Sequence, residues 1–293
     1  MNSITPITFG QLPALRIEAA DGAAAIVTLY GAHLVSWNSA DGAQRLFCSS
    51  LSALDGSRAI RGGVPVIFPQ FGARGDGMRH GFARVSTWRL ADSGVDGEHH
   101  FAELALDQND LTPKLAADWP FAFELRLRVA LHGDRLDLAL IVRNRGGQAF
   151  PFSAALHSYL LVDHLEGCAL HGLQHVRFSD EAQHVALQDE AALRLSDKLD
   201  RIYYQVPGAL TLDTGGAALR LEQQGFTDVV VWNPGAADAA ALADMADLEF
   251  ERFLCVEPAL IEPDLLAAGA EWTGLHSLRA QALPQAVAPS SIP

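Results

Sequence analysis

The stretch from Phe123 to Arg143 constrains the fold more than any other part of the chain. Phe123, Leu125, Leu127, Val129 and Leu131 alternate with Glu124, Arg126, Arg128 and Ala130. Beyond the turn His132-Gly133-Asp134, Leu136, Leu138, Leu140 and Val142 alternate with Asp137, Ala139, Ile141 and Arg143. Successive side chains of a strand point to opposite faces, so this pattern predicts a hairpin with one buried and one wetter face. Shorter strand signals recur at 25–37, 101–106, 209–221 and 229–232, punctuated by Asp41-Gly42, Asp96-Gly97 and Asp213-Thr214-Gly215-Gly216. Helices long enough for the crossovers of a parallel sheet do not lie between them. The chain therefore reads as all-β: a large antiparallel β-sandwich with a few short helices. One helix is expected over the alanine-rich 236–248, which lacks β-branched residues, with short helical turns near 51–55 and 113–118. Without a linker, a fixed-period repeat or a break in composition, residues 1–283 read as one domain. The Ala-, Pro- and Ser-rich 284–293 reads as a loose tail.

Composition narrows the function classes. The 293 residues are 49% hydrophobic, enough for a large core. No apolar run reaches the about 18 residues of a membrane span, and Met1 to Pro6 lacks the basic-then-apolar order of a secretory signal. Cys48, Cys168 and Cys255 are an odd, scattered set, which suits free thiols in a reducing cytoplasm. A net charge of -14 disfavours nucleic acid as a partner. Against that acidic background any cluster of arginines is local and deliberate.

Such a cluster occurs at Arg58-Ala59-Ile60-Arg61-Gly62-Gly63-Val64-Pro65-Val66-Ile67-Phe68-Pro69-Gln70-Phe71-Gly72, followed by His80-Gly81-Phe82-Ala83-Arg84. Glycine lets the backbone approach a ligand, proline stiffens the approach, and arginine offers a fork of donors suited to phosphate or carboxylate. His157, in the strand-like Phe152 to Leu160, is either a hydrogen-bonded structural residue or a catalyst. Glu257 lies in Phe253-Leu254-Cys255-Val256-Glu257-Pro258, which reads as a buried strand. An ionised carboxylate there must pair, take up a proton or face a pocket. Asp200 reads as a turn residue or ion-pair partner, and Trp232 and Phe71 as core residues or stacking surfaces. His171 and His175 could share a helix face, but no third ligand accompanies them; His99 and His100 read as a solvated loop. No phosphate loop, nucleophile elbow, nicotinamide-binding motif or metal-ligand spacing is visible.

The order of these motifs carries more than any one of them. Arg-Gly-Gly-x-Pro from Arg61, His-Gly-Phe-Ala-Arg from His80, a strand histidine at His157, Asp-Arg-x-Tyr from Asp200, Val-x-Trp-Asn-Pro from Val230 and Cys-Val-Glu from Cys255 together resemble the hexose-6-phosphate mutarotases. These form the glucose-6-phosphate 1-epimerase branch of the aldose 1-epimerase superfamily, and the resemblance spans about Ala32 to Leu278. It implies a galactose-mutarotase-like β-sandwich that interconverts α and β anomers of a sugar phosphate, without cofactor or metal and as a monomer. By motif position, His157 corresponds to the general acid and Glu257 to the general base. Arg61 and Arg84 correspond to the phosphate-binding pair, and His80 and Asp200 to residues contacting the sugar. Arg79 departs from the pattern, standing where relatives carry glutamine, and either joins the phosphate pocket or points to water. Gln70 stands where many relatives have tryptophan. The rivals are a mutarotase for unphosphorylated aldoses and a non-catalytic carbohydrate-binding module on the same sandwich. The two arginines speak against the first, the paired histidine and glutamate against the second.

Overall fold

The structure, a computed structural model, describes residues 3–281; the tail expected at 284–293 lies outside the described residues. The predicted hairpin forms as two ten-residue antiparallel strands, Phe123–His132 and Arg135–Asn144, with Leu127 opposite Leu140 and Val129 opposite Leu138. These leucines and valines are buried, each contributing about 1.5–3 kcal/mol. The hairpin belongs to a nine-stranded antiparallel sheet, and a four-stranded sheet is built from strands between Ile4 and Asn38.

An eight-stranded sheet carries the features relevant to function. Its consecutive neighbours are Arg177–Asp180, Leu199–Tyr203, Asp228–Asn233, Phe253–Leu266 and Phe150–Leu156, all paired antiparallel. One face meets the nine-stranded sheet: Val229, Val231, Val256 and Phe152 share a core with Leu127 and Leu140. That core is a single cluster running in sequence from Ile4 to Ala280. Strand parity turns Val230, Ile202 and Ala259 to the other face, where they form a smaller cluster with Ile67 and Phe71.

Three local expectations differ. The helix expected over 236–248 spans only Gly235–Ala239, followed by turns and a 3-10 turn at Glu249–Arg252. High alanine content favours a helix only weakly when too few apolar side chains hold it to the core, and here Leu242 and Met245 are the main anchors. Leu248, at φ +65°, turns the chain away. Residues 51–55 are mostly irregular, with a turn only at Leu51, whereas the short helix Pro113–Asp118 is present with Thr112 as its cap. His99 and His100 open the strand His99–Asp107 and are half-buried, and His171 ends a strand. None of the helices among the described residues is long and apolar enough to cross a membrane.

Candidate active site

Cross-strand register assembles the site. Asp200 pairs with Trp232, Trp232 with Cys255, and Cys255 with Tyr159, making one row across four strands. The next row is Ile202, Val230 and Glu257. Directly opposed residues of an antiparallel pair present their side chains to the same face, so the two rows share one face of the sheet, where Tyr159 and Cys255 also pack into the main core. His157 sits where the strand expected to run through it breaks, between Phe150–Leu156 and Tyr159–Leu161. The break lets its imidazole meet the carboxylate row: Nδ1 stands 3.2 Å from Glu257 Oε1. The ring lies flat on Tyr159, with centroids 4.8 Å apart at 8°, and Trp232 abuts both rings edge-on.

The opposite wall is the segment 58–84, with almost no regular structure. Its path depends on glycine. A Cβ on Gly81, at φ +69°, would stand 1.9 Å from the Phe68 carbonyl oxygen, so only glycine permits that close approach. His80 beside it holds φ +64°, a strained value for a residue with a side chain. The Gly72 N–H donates to His80 Nδ1 at 3.3 Å, which leaves the ring proton on Nε2. Arg84 follows in the 3-10 turn Ala83–Val85.

Together these walls enclose a cavity of about 520 Å³ lined by His157, Glu257, His80, Asp200, Arg61, Arg84 and Arg79, with Phe71, Trp232 and Tyr159 as its flat surfaces. All seven residues named as site candidates from sequence thus converge on one hollow. A hollow of similar volume near Arg45 and Asp163 has no convergent buried pair, and Arg45 is already matched to Asp41.

Electrostatics divides the cavity. Burial, reinforced by the charge of Asp200, pushes the Glu257 carboxyl well above its ordinary 4.5. Burial, then His80, Arg84 and Arg61, pushes the His157 imidazole well below 6.5. His80 falls to about 3 through burial and the neighbouring Arg84, Arg79 and Arg61. These opposite displacements favour a protonated carboxyl and a neutral imidazole, and His157 Nδ1 and Glu257 Oε2 are buried without a hydrogen-bond partner among the described residues.

The arginines are unequal. Arg61 is held from both sides: Nε and Nη2 reach the two Asp244 carboxylate oxygens at 3.2 Å, and Nη1 donates to Tyr159 Oη at 3.1 Å. Arg84 has no carboxylate partner among the described residues; it donates to the Arg79 carbonyl at 2.9 Å, and its Nε is buried without an acceptor. Burial, opposed next by Tyr159 and reinforced by the charges of Arg61 and Arg79, lowers Arg84 to about 10. An uncompensated, partly desolvated guanidinium is a site waiting for an anion. Arg79 is exposed at the rim. Gln70, by contrast, is turned away, bonded to Gly72 and Gly77 in the loop behind His80.

Tyr159 and Asp244 were not singled out from sequence. Tyr159 lies two positions beyond His157, and Asp244 hides in the stretch that reads as a helix. Cys255 is the third unanticipated member. Its sulfur, a His157 nitrogen and a Glu257 oxygen all lie within 4.8 Å of one another, a donor set able to hold a metal ion.

Residues 13–279 match the family model described as aldose 1-epimerase. A Cenchrus ciliaris protein named "Putative glucose-6-phosphate 1-epimerase" is 32% identical over 278 residues, covering 90% of this chain and 83% of that protein. An Escherichia coli K12 protein of the same name is 32% identical over 238 residues, covering 79% of this chain and 78% of its own. Among solved structures, a "putative mutarotase" from Salmonella typhimurium superimposes with a TM-score of 0.86 at 24% identity, covering 96% of this chain and 94% of that one. A "galactose mutarotase related enzyme" from Lactobacillus acidophilus gives 0.72 at 16% identity, covering 94% and 99%. At those identities the structural likeness is one of fold, a galactose-mutarotase-like β-sandwich.

Proposed function

The chain belongs to the aldose 1-epimerase family, and from that premise we propose that it interconverts the α and β anomers of a hexose 6-phosphate, glucose 6-phosphate first among them. The observation that carries this reading is a buried imidazole–carboxyl pair in the same cavity as a guanidinium that no carboxylate among the described residues neutralises. Ring opening needs a proton taken from the anomeric hydroxyl and another given to the ring oxygen. Starting from imidazolium and carboxylate, Glu257 takes the first and His157 gives the second. The C1–O5 bond then breaks, leaving an aldehyde, a neutral imidazole and a protonated carboxyl. That is the form burial favours. Rotation about C1–C2 and closure on the other face return both protons. Each positioned proton-transfer group supplies about 10²–10⁴-fold.

Arg84, with Arg79 beside it, receives the phosphate; Arg61, braced by Asp244, completes that end. Asp200 and the Nε2–H of His80 serve the sugar hydroxyls, with Phe71 and Trp232 as apolar walls. The continuous core supports one domain over 1–283, and the free thiols Cys48, Cys168 and Cys255 favour the cytoplasm. A second reading, an epimerase for unphosphorylated aldoses, draws on Asp244 already occupying Arg61. Anomer exchange measured by NMR magnetisation transfer, run in parallel on glucose 6-phosphate and glucose, decides between them. Acceleration of the phosphorylated sugar alone, or far more strongly, is expected; preference for free glucose would favour the second reading, and no acceleration of either would end the proposal.

A further inference from the structure

We propose that His157, Cys255 and Glu257 form a latent site for a zinc-class divalent ion, and that an ion held there blocks anomer exchange. The site is a consequence of strand parity. Cys255 and Glu257 are two apart on Phe253–Leu266, opposite Trp232 and Val230, and so share the face onto which His157 is brought. Nitrogen, sulfur and oxygen donors all lie within 4.8 Å of one another, and the nitrogen–oxygen separation is 3.2 Å. A tetrahedral zinc site with bonds of about 2.0–2.3 Å spaces its donors roughly 3.3–3.8 Å apart, so closing it takes shifts of about 1 Å. Two of the donor groups expose their need in the structure: His157 Nδ1 and Glu257 Oε2 are buried without a hydrogen-bond partner among the described residues.

Charge and softness select the ion. Zinc displaces the Cys255 thiol proton and the Glu257 carboxyl proton to solvent, and nothing is oxidised or reduced. Thiolate and carboxylate then cancel the charge of the ion, so Arg84 and Arg61 do not repel the bound complex. A sulfur–imidazole set favours zinc, and cobalt as its probe, over magnesium or calcium. His157 and Glu257 line the cavity, from which a water could complete the shell. Coordination occupies the lone pairs that would move protons. The inhibition rests on the proposed function; the metal binding does not.

The test uses cobalt(II) on the full-length wild-type protein, followed by zinc(II). Cobalt should produce a thiolate-to-metal charge-transfer band that one equivalent of zinc abolishes and magnesium leaves unchanged. Cys255→Ser should lose the band. Its zinc affinity should fall by more than the about 10–100-fold that losing an outer partner costs a metal site. His157→Asn, which leaves the thiol in place, should weaken cobalt binding in the same direction, so the site is tested even where the Cys255 variant fails to fold. Zinc should arrest wild-type exchange and a chelator restore it. No charge-transfer band on the wild type, or a band surviving Cys255→Ser, overturns the site. A band with exchange unaffected by zinc overturns the inhibition. Absence of exchange in metal-free wild type would count against the proposed function alone.

Discussion

Replacing Arg84 with methionine isolates the proposed phosphate end of the cavity. Methionine keeps an apolar stem of similar reach and removes the charge. In the free protein this guanidinium makes one hydrogen bond, to the Arg79 carbonyl, and leaves Nε without an acceptor. Little native structure therefore depends on it, and removing a poorly compensated cation should leave Tm unchanged or slightly raised. A bound phosphate dianion would lose at least one charge-assisted contact worth about 1.5–3 kcal/mol, plus part of a Coulomb attraction of about 4 kcal/mol at 4 Å near a protein surface. A net loss near 3 kcal/mol corresponds to roughly 10²-fold in kcat/KM for glucose 6-phosphate. Residual exchange of free glucose should move by no more than about threefold, because no anion is bound. Magnetisation transfer between the anomeric protons measures both rates in one instrument, with thermal melts alongside. Equal losses on the two sugars would make Arg84 structural, and an unchanged rate with glucose 6-phosphate would remove it from the phosphate site.

Glu257→Gln should slow anomer exchange by about 10²–10⁴-fold with an unchanged circular dichroism spectrum; near-normal exchange would remove the carboxyl from proton transfer. The same variant should be more heat-stable than wild type above neutrality. In the unfolded chain Glu257 loses its proton near 4.5, but the fold holds that proton to a much higher pH, so wild-type stability drains away as pH rises from 4.5 toward the folded value. Glutamine has no proton to lose, and melts between pH 4.5 and 8 should show a gap that widens with pH; a gap that narrows would contradict the burial argument. Gly81→Ala forces a methyl against the Phe68 carbonyl in a left-handed backbone, and urea titration should find about 2–5 kcal/mol lost. A loss below 1 kcal/mol would mean the rim loop accommodates the change.

The sheets were legible because a period of two is a local signal: the alternation at 123–143 states both the strands and their buried face. Glu257 was legible for a related reason, since a carboxyl inside an apolar strand needs explaining on local grounds alone. His157 was only half-legible. Its apolar neighbours mark a strand, but the break that frees its ring depends on pairing with Phe253–Leu266, a hundred positions away. Partners of the arginines were not legible at all. That Asp244 occupies Arg61 while Arg84 stands alone follows from how the turns after Gly235–Ala239 settle on the cavity, and the alanine-rich sequence there points instead to a longer helix. Local pattern thus carries the framework and the residue types, whereas charge compensation is decided by long-range packing.

The two walls differ in what holds them. Glu257 is mounted on a hydrogen-bonded strand and His157 at the break between two others, while the cationic wall is a ribbon that owes its course to a few glycines and prolines. Alterations to that ribbon can retune which anion is accepted and leave the spacing of imidazole and carboxyl untouched. The architecture thus separates recognition from reactivity, so that new specificities can be tried without dismantling the chemistry beneath them.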